Sequence, residues 1–236
     1  MNQPVRPQPA QLLLDILATP EPTLENFTTG ANALAVEAIR TLAPGRAVYL
    51  WGPDGSGRSH LLAAAVQRHP GAALLGADTP VAVWQARLDD PISGLVAIDD
   101  VQRLDDARQA LAFALYNRWR EAAATRQGLM LLVAGDRAPL QMPLREDLRT
   151  RLGWDLVFRL ELLSDADKLA ALRAHAAARS LAVTPELIDW LLTRHARDMR
   201  QLTALLDALD RYSLATKRPV TLPLLKTMLA AAPPAA

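Results

Sequence analysis

From Ala47 to Leu62 the chain reads Ala-Val-Tyr-Leu-Trp-Gly-Pro-Asp-Gly-Ser-Gly-Arg-Ser-His-Leu-Leu: an apolar run, a glycine-rich turn, then a helical pattern. The residue types and spacing are those of a phosphate-binding loop, with arginine where lysine is expected. Gly52, Gly55 and Gly57 permit backbone conformations closed to other residues, so that consecutive N–H groups can converge on phosphate oxygens. The helix that opens at Ser59 adds the positive end of its dipole, and the Ser59 hydroxyl is placed to meet a magnesium ion. Arg58 keeps the charge of lysine but not its shape, because a planar guanidinium cannot occupy a γ-phosphate position as a compact ammonium does. Binding of a nucleotide is therefore expected to survive better than its hydrolysis. A plain strand-turn-helix corner could use the same glycines, but strand, loop and helix follow in the order the motif requires.

Further groups could meet at the same place. Leu95-Val96-Ala97-Ile98-Asp99-Asp100 is an apolar strand ending in two acids, the arrangement that holds magnesium and its water beside a phosphate loop. Asp99 is the metal candidate and Asp100 the candidate for orienting water. Ala134-Gly135-Asp136-Arg137 ends another strand, and in a parallel sheet Asp136 would reach the same rim as Asp99; a surface turn explains it equally well. Arg145, Arg149 and Arg151 fall in a short stretch before the final strand, and spacing alone does not choose among them. Arg200 stands on the first turn of a later helix, where, beside a phosphate loop, an arginine points to a nearby anion rather than to stabilisation of the helix dipole; without that loop an exposed helix arginine is the better reading.

These residues need a scaffold. Apolar runs at Ala47–Trp51, Ala72–Gly76, Leu95–Ile98, Leu129–Ala134 and Leu156–Leu160 alternate with helical patterns such as Asp105–Thr125. Continuous apolar character suits strands covered on both faces, which predicts an α/β sandwich around a parallel sheet with ligands at the carboxyl ends of the strands. After Leu160 only helical patterns follow, ending near Arg179, Arg194 and Arg211, with a last one after Thr221-Leu222-Pro223. The division read here is a tail over 1–22, an α/β domain over 23–162 and a small helical domain over 163–236.

The tail is rich in proline and glutamine and should be extended. Within it Gln11-Leu12-Leu13-Leu14-Asp15-Ile16-Leu17 is too short for a stable helix alone and too apolar for a linker. It reads either as a docking peptide or as a segment packed on its own domain.

Composition narrows the function classes. The chain has 236 residues, half of them apolar, so a sizeable core is expected. A net charge of +1 without a long basic run argues against a dedicated duplex-binding domain, and leaves nucleic acid to be reached through a partner. The absence of cysteine excludes disulfides, thiol catalysis and Cys-based metal sites. Four scattered histidines form no metal cluster. No apolar run approaches membrane-spanning length, so a soluble, cytoplasmic protein without a membrane partner is expected.

Taken together, these features resemble the AAA+ ATPases, and among them the DnaA-related replication initiators and the shorter Hda-like regulators. The string Gly55-Ser56-Gly57-Arg58-Ser59-His60-Leu61-Leu62 carries the resemblance, with arginine for lysine as in the Hda-like proteins. The resemblance implies an AAA+ αβα sandwich followed by a helical lid. It also implies an adenine-side segment at Asn26–Asn32, Walker B acids at Asp99 and Asp100, a sensor 1 region at Gly135-Asp136-Arg137, an arginine finger at Arg151 and a sensor 2 arginine at Arg200. His60 joins the nucleotide-contacting set on the same basis.

The tail resembles the sliding-clamp binding peptides of type Q-L-x-L-x-[LI], with Gln11 at a pocket rim and Leu12, Leu14 and Ile16 as anchors; Asp15 stands where some versions carry proline. By resemblance the bound group is ADP or ATP with Mg2+ at Ser59 and Asp99. The partners are DnaA and the sliding clamp of DNA polymerase III, with DNA reached through the clamp and self-association into a homodimer left open. The activity implied is stimulation of ATP hydrolysis by DnaA, with little or none of its own. The competing reading is an independent AAA+ ATPase of the helicase-loader type.

Overall fold

The computed structural model describes residues 21–89, 94–123, 128–194 and 199–231. These divide into two compact units, one from Pro22 to Leu162 and one from Leu163 onward.

The first unit is built on five strands: β1 (Ala47–Trp51), β2 (Ala73–Leu75), β3 (Leu95–Ile98), β4 (Met130–Gly135) and β5 (Leu156–Arg159). All pairings are parallel and the spatial order is β2-β3-β4-β1-β5. Helix α1 (Ala33–Arg40) precedes β1, and α2 (Arg58–Arg68), α3 (Val81–Asp89), α4 (Asp106–Ala122) and α5 (Glu146–Arg151) lie between the strands.

The apolar runs do not alternate because both sheet faces are covered, and side chains simply divide by parity. Tyr49, Ile98, Leu131 and Val133 pack with Trp84 of α3, Leu115, Tyr116 and Trp119 of α4 and Leu148 of α5. Val48, Leu50, Ala97 and Leu132 face the other way, against Val36 and Ile39 of α1 and Leu61, Leu62 and Ala65 of α2. The result is the three-layer sandwich that the pattern predicts.

Register then fixes the site. Trp51 lies opposite both Gly135 and Arg159, and Ile98 opposite Val133. The glycine loop after β1, the acids after β3 and the Gly135 end of β4 therefore leave the sheet at one rim. At the opposite end Asp155 closes the start of β5 onto the start of β1. It accepts from Arg46 Nε at 2.8 Å, Arg46 Nη2 at 2.7 Å and the Ala47 N–H at 2.8 Å.

The second unit holds α6 (Asp165–Ala178), α7 (Pro185–Arg194), α8 (Met199–Thr216) and α9 (Leu222–Ala231). Helix α6 starts with a reciprocal cap in which the Asp167 N–H donates to Ser164 Oγ and the Ser164 N–H to Asp167 Oδ2, both at 3.1 Å. Leu172, Leu187, Leu191, Leu206, Leu209 and Leu225 fill its core. Asp207 on α8 ties in α6 by pairing with His175 Nε2 at 2.6 Å and Arg179 Nε at 2.9 Å. Helix α8 runs past Arg211, where the sequence pattern ended it, because its stop is conformational: Lys217 turns left-handed at φ +54° and Ser213 Oγ donates to Arg218 O. Among the described residues no helix is long and apolar enough to cross a membrane.

Candidate nucleotide-binding site

The loop is shaped by what surrounds its glycines. A Cβ on Gly52 would collide with the carbonyl oxygen of Leu160, and one on Gly57 would stand 2.5 Å from Phe27 Cε2. Gly57, at φ +94°, immediately precedes α2. Ser59 is exposed on the first turn of that helix. Inside the turn Ser56 Oγ is buried and has no hydrogen-bond partner among the described residues. A turn made by left-handed glycines, a helix start and an orphaned hydroxyl fit a bound phosphate chain.

Arg58 occupies this site in an unexpected way. Its side chain is only 7 % exposed, and the guanidinium points into the protein. Nη1 donates to the carbonyls of Gly52 and, at 2.9 Å, Gly135. Nη2 donates to Asp54 Oδ1 at 3.0 Å and lies 3.4 Å from Asp100 Oδ1. A guanidinium has five N–H donors, and these contacts engage all four on its two amino groups. The positive charge remains beside the loop, but its donors strap the end of β1 to the end of β4.

The acids lie where the register places them. The Asp99 N–H extends the ladder to Leu75 O at 2.9 Å, and its Oδ1 accepts the Asp100 N–H at 2.9 Å. Asp100 sits in the left-handed region at φ +46°, a strained conformation for a side-chain-bearing residue, and its Oδ1 also accepts from Gln102 Nε2 at 2.9 Å. Asp136 is held by Arg137 through contacts of 3.0 and 2.7 Å, and that hydrogen bonding keeps its carboxyl below the usual range. Beneath it Tyr49 donates its hydroxyl to Arg137 O at 2.8 Å, and burial raises the phenol so that it stays protonated.

No cluster of three or more His, Asp or Glu that could hold a metal exists among the described residues. A magnesium ion held by Ser59 and Asp99 would therefore take its remaining ligands from phosphate oxygens and water, the usual manner for that ion.

On the other side of the loop, His60 Nε2 meets Thr23 O at 2.8 Å, and its ring stands edge-on to Phe27 with centroids 5.2 Å apart. His60 thus fixes the segment that covers Gly57.

Arg151 is elsewhere. It closes α5 before the amino end of β5, whereas the loop leaves the carboxyl end of β1, and β1 and β5 are parallel. The four-residue strand between them spans roughly 13 Å. The Arg151 guanidinium is clasped between the rings of Phe113 and Trp154, 4.2 Å from each centroid. Its Nε is buried without a hydrogen-bond partner among the described residues. Arg145 approaches the same Phe113 at 5.9 Å and Arg120 the same Trp154 at 5.2 Å.

The rim therefore gathers Gly52, Gly55, Gly57, Arg58, Ser59, Asp99, Asp100 and Asp136, and leaves Arg151 at the far end. Arg200 belongs to the helical unit, in the first turn of α8 as described. Gln11, Leu12, Leu14 and Ile16 lie outside the described residues. Sequence reasoning missed the Gly135 carbonyl as an Arg58 acceptor and the Phe113 and Trp154 clasp. The i, i+3 spacing of Arg151 and Trp154 was the one available signal for the clasp.

Residues 165–229 match the family model described as the Hda lid domain. Over the whole fold the chain is similar to domain III of the replication initiation protein DnaA from Thermotoga maritima, with 20% identity, a TM-score of 0.62 and coverage of 89% of this chain and 96% of that one. It is also similar to AMPPCP-bound DnaA from Aquifex aeolicus, at 22% identity and TM-score 0.59, covering 85% and 71% of the two chains. The Thermotoga maritima RuvB Holliday junction branch migration motor aligns at 18% identity and TM-score 0.61, covering 93% and 73%. The fold is thus shared with domain III of DnaA and with RuvB, and within it the C-terminal helices at residues 165–229 match the Hda lid domain.

Proposed function

We propose that this DnaA-related AAA+ protein is a regulatory inactivator: in its ADP-bound form it docks on the DNA-loaded sliding clamp and triggers ATP hydrolysis by DnaA. The observation that carries the reading is the position and clasp of Arg151, a strand length from the chain's own phosphate loop and gripped between two rings. An arginine so placed cannot serve its own nucleotide and would instead serve one held by a neighbour.

In the resting protein the backbone N–H groups of Gly55, Gly57, Arg58 and Ser59 would bind the diphosphate, with the Arg58 guanidinium supplying charge beside it. Bound magnesium would supply charge neutralisation at the phosphates, through Ser59 and Asp99. Because the Arg58 amino groups are engaged by Gly52, Gly135, Asp54 and Asp100, the group that would follow a transferring γ-phosphate is committed elsewhere. Intrinsic turnover is accordingly slow.

At the interface Arg151 would stabilise the charge that spreads over the transferring phosphoryl group of the DnaA-bound ATP, an effect worth roughly 10³–10⁵ in rate where such fingers act. Its rings hold the guanidinium without neutralising it, since a cation–π contact leaves the in-plane N–H donors available. Residues 11–16 would tether the protein to the clamp and raise its local concentration near DnaA, so that a weak AAA+ contact suffices.

The test is hydrolysis of DnaA-bound ATP with and without clamp-loaded DNA. Replacement of Gln11, Leu12 and Leu14 by alanine is expected to abolish the clamp-dependent stimulation while ADP binding persists. Unchanged clamp binding by that variant would remove the tail from the account.

A further inference from the structure

The segment Leu160–Leu162, which leads from β5 towards the helical unit, passes directly over the phosphate loop. The Leu160 N–H extends the ladder to Trp51 O at 2.6 Å. The Leu160 carbonyl takes the space a Cβ on Gly52 would need, and Leu162 Cδ2 lies 3.7 Å from where one on Gly55 would stand. Two loop glycines are thus backed by this wall.

The next peptide, Glu161, lies one residue beyond this last ladder bond. Its N–H donates to Asn32 Oδ1 at 2.8 Å, and its carbonyl accepts from Asn32 Nδ2 at 3.0 Å. One carboxamide satisfies both groups of a peptide, as a neighbouring strand would. Asn32 is 4% exposed and is itself fixed by its backbone, its N–H bonding Thr29 O and its carbonyl accepting from Val36 at the start of α1. It follows closely on the segment that places Phe27 against Gly57. The loop therefore lies between two elements, the Phe27 segment and the Leu160–Leu162 wall, and Asn32 pins one to the other.

We infer that Asn32 is a positioning residue of the nucleotide site, holding the Glu161 peptide so that phosphate occupancy of the loop and the order of the Leu160–Leu162 segment are coupled. This rests on the nucleotide assignment made above and goes beyond it by naming the residue that transmits occupancy to the linker. A loop whose back is fixed presents its amides already in place, which lowers the ordering cost of binding. By linkage, whatever the wall contributes to the ligand, the ligand returns to the wall. The residue type is specific: leucine has similar bulk with neither donor nor acceptor, and aspartate keeps the acceptor for the Glu161 N–H but sets a second oxygen against the Glu161 carbonyl.

The experiment measures two quantities on the full chain: ADP affinity by calorimetric titration, and amide exchange at Glu161 by NMR with and without ADP, with Val133 in β4 as the internal reference. In the unmodified protein ADP should slow exchange at Glu161 relative to Val133. Asn32→Leu should bind ADP about tenfold more weakly, a factor equal to about 1.4 kcal/mol, and ADP should no longer slow Glu161. Asn32→Asp should fall between the two, and it decides by the same criteria if the leucine variant does not fold. Failure of the unmodified protein to bind ADP would remove the nucleotide assignment itself. Tight ADP binding without slowed exchange at Glu161, or the same slowing in the variants, would overturn the role of Asn32 and leave that assignment standing.

Discussion

Replacing Arg58 by alanine tests whether the guanidinium is a strap within the protein rather than a ligand for the nucleotide. The substitution leaves the carbonyls of Gly52 and Gly135 without a buried donor, and Asp100 without the cation 3.4 Å away. An unsatisfied buried polar group costs about 1–3 kcal/mol, and water entering the vacated space brings each carbonyl to the lower part of that range. Asp54, whose side chain is 97% exposed, contributes almost nothing, as exposed ion pairs do. The sum is about 2–4 kcal/mol, which for a unit of this size lowers the melting temperature by about 10 °C. The assay is thermal and urea unfolding of the nucleotide-free protein, in which no phosphate contact can contribute. Arg58→Lys should lose less, since an ammonium can still reach one or two of the same acceptors. Arg58→Ala unfolding within about 0.5 kcal/mol of the parent would refute the strap, because that is the range of ordinary surface changes.

Three further outcomes follow from the same geometry. Arg58→Lys should raise intrinsic ATP turnover above that of the parent, because a compact ammonium releases the Gly135 carbonyl and follows the γ-phosphate; steady-state hydrolysis of the isolated protein checks it. Gly57→Ala should cost roughly 1–2 kcal/mol from the left-handed backbone alone and displace Phe27, so nucleotide titration should show ADP affinity reduced by more than tenfold. Asp155 is held below its ordinary value by the hydrogen bonds from Arg46, so its stabilisation is complete above the unfolded value near 3.9 and is lost as pH falls through the lower folded value. Asp155→Asn should therefore remove about 1–2 kcal/mol at neutral pH, discounted for the half-exposed Arg46, and flatten the acid limb of the stability profile.

The parts of the molecule legible in the sequence are those written locally. Val48, Leu50, Leu131 and Val133 announce doubly covered strands because no polar residue interrupts them, and Ser164 with Asp167 announces a helix start because a cap needs only four residues. The loop glycines were legible for the same reason: positive φ at Gly55 and Gly57 is a demand on residue type.

What escaped depends on contacts far apart in the chain. Nothing near Arg58 says that its donors would find Gly135, 77 residues away, and the shape argument that made it a poor γ-phosphate ligand gave no hint of an internal partner. Phe113 looks like one more apolar position of α4 until α5 brings Arg151 to its face. Among Arg145, Arg149 and Arg151, only the fold distinguishes the residue that two rings hold. The end of α8 was misplaced because a helix can stop on Lys217, a residue type that carries no stop signal.

The most direct measurement is single-turnover hydrolysis of ATP bound to DnaA, in the presence of clamp-loaded DNA, on addition of the unmodified protein, of Arg151→Lys or of Arg151→Ala. Acceleration by the parent, most of it lost with lysine and all of it with alanine while clamp and ADP binding stay intact, is the predicted result. An alanine variant that accelerates DnaA as fast as the parent would contradict it.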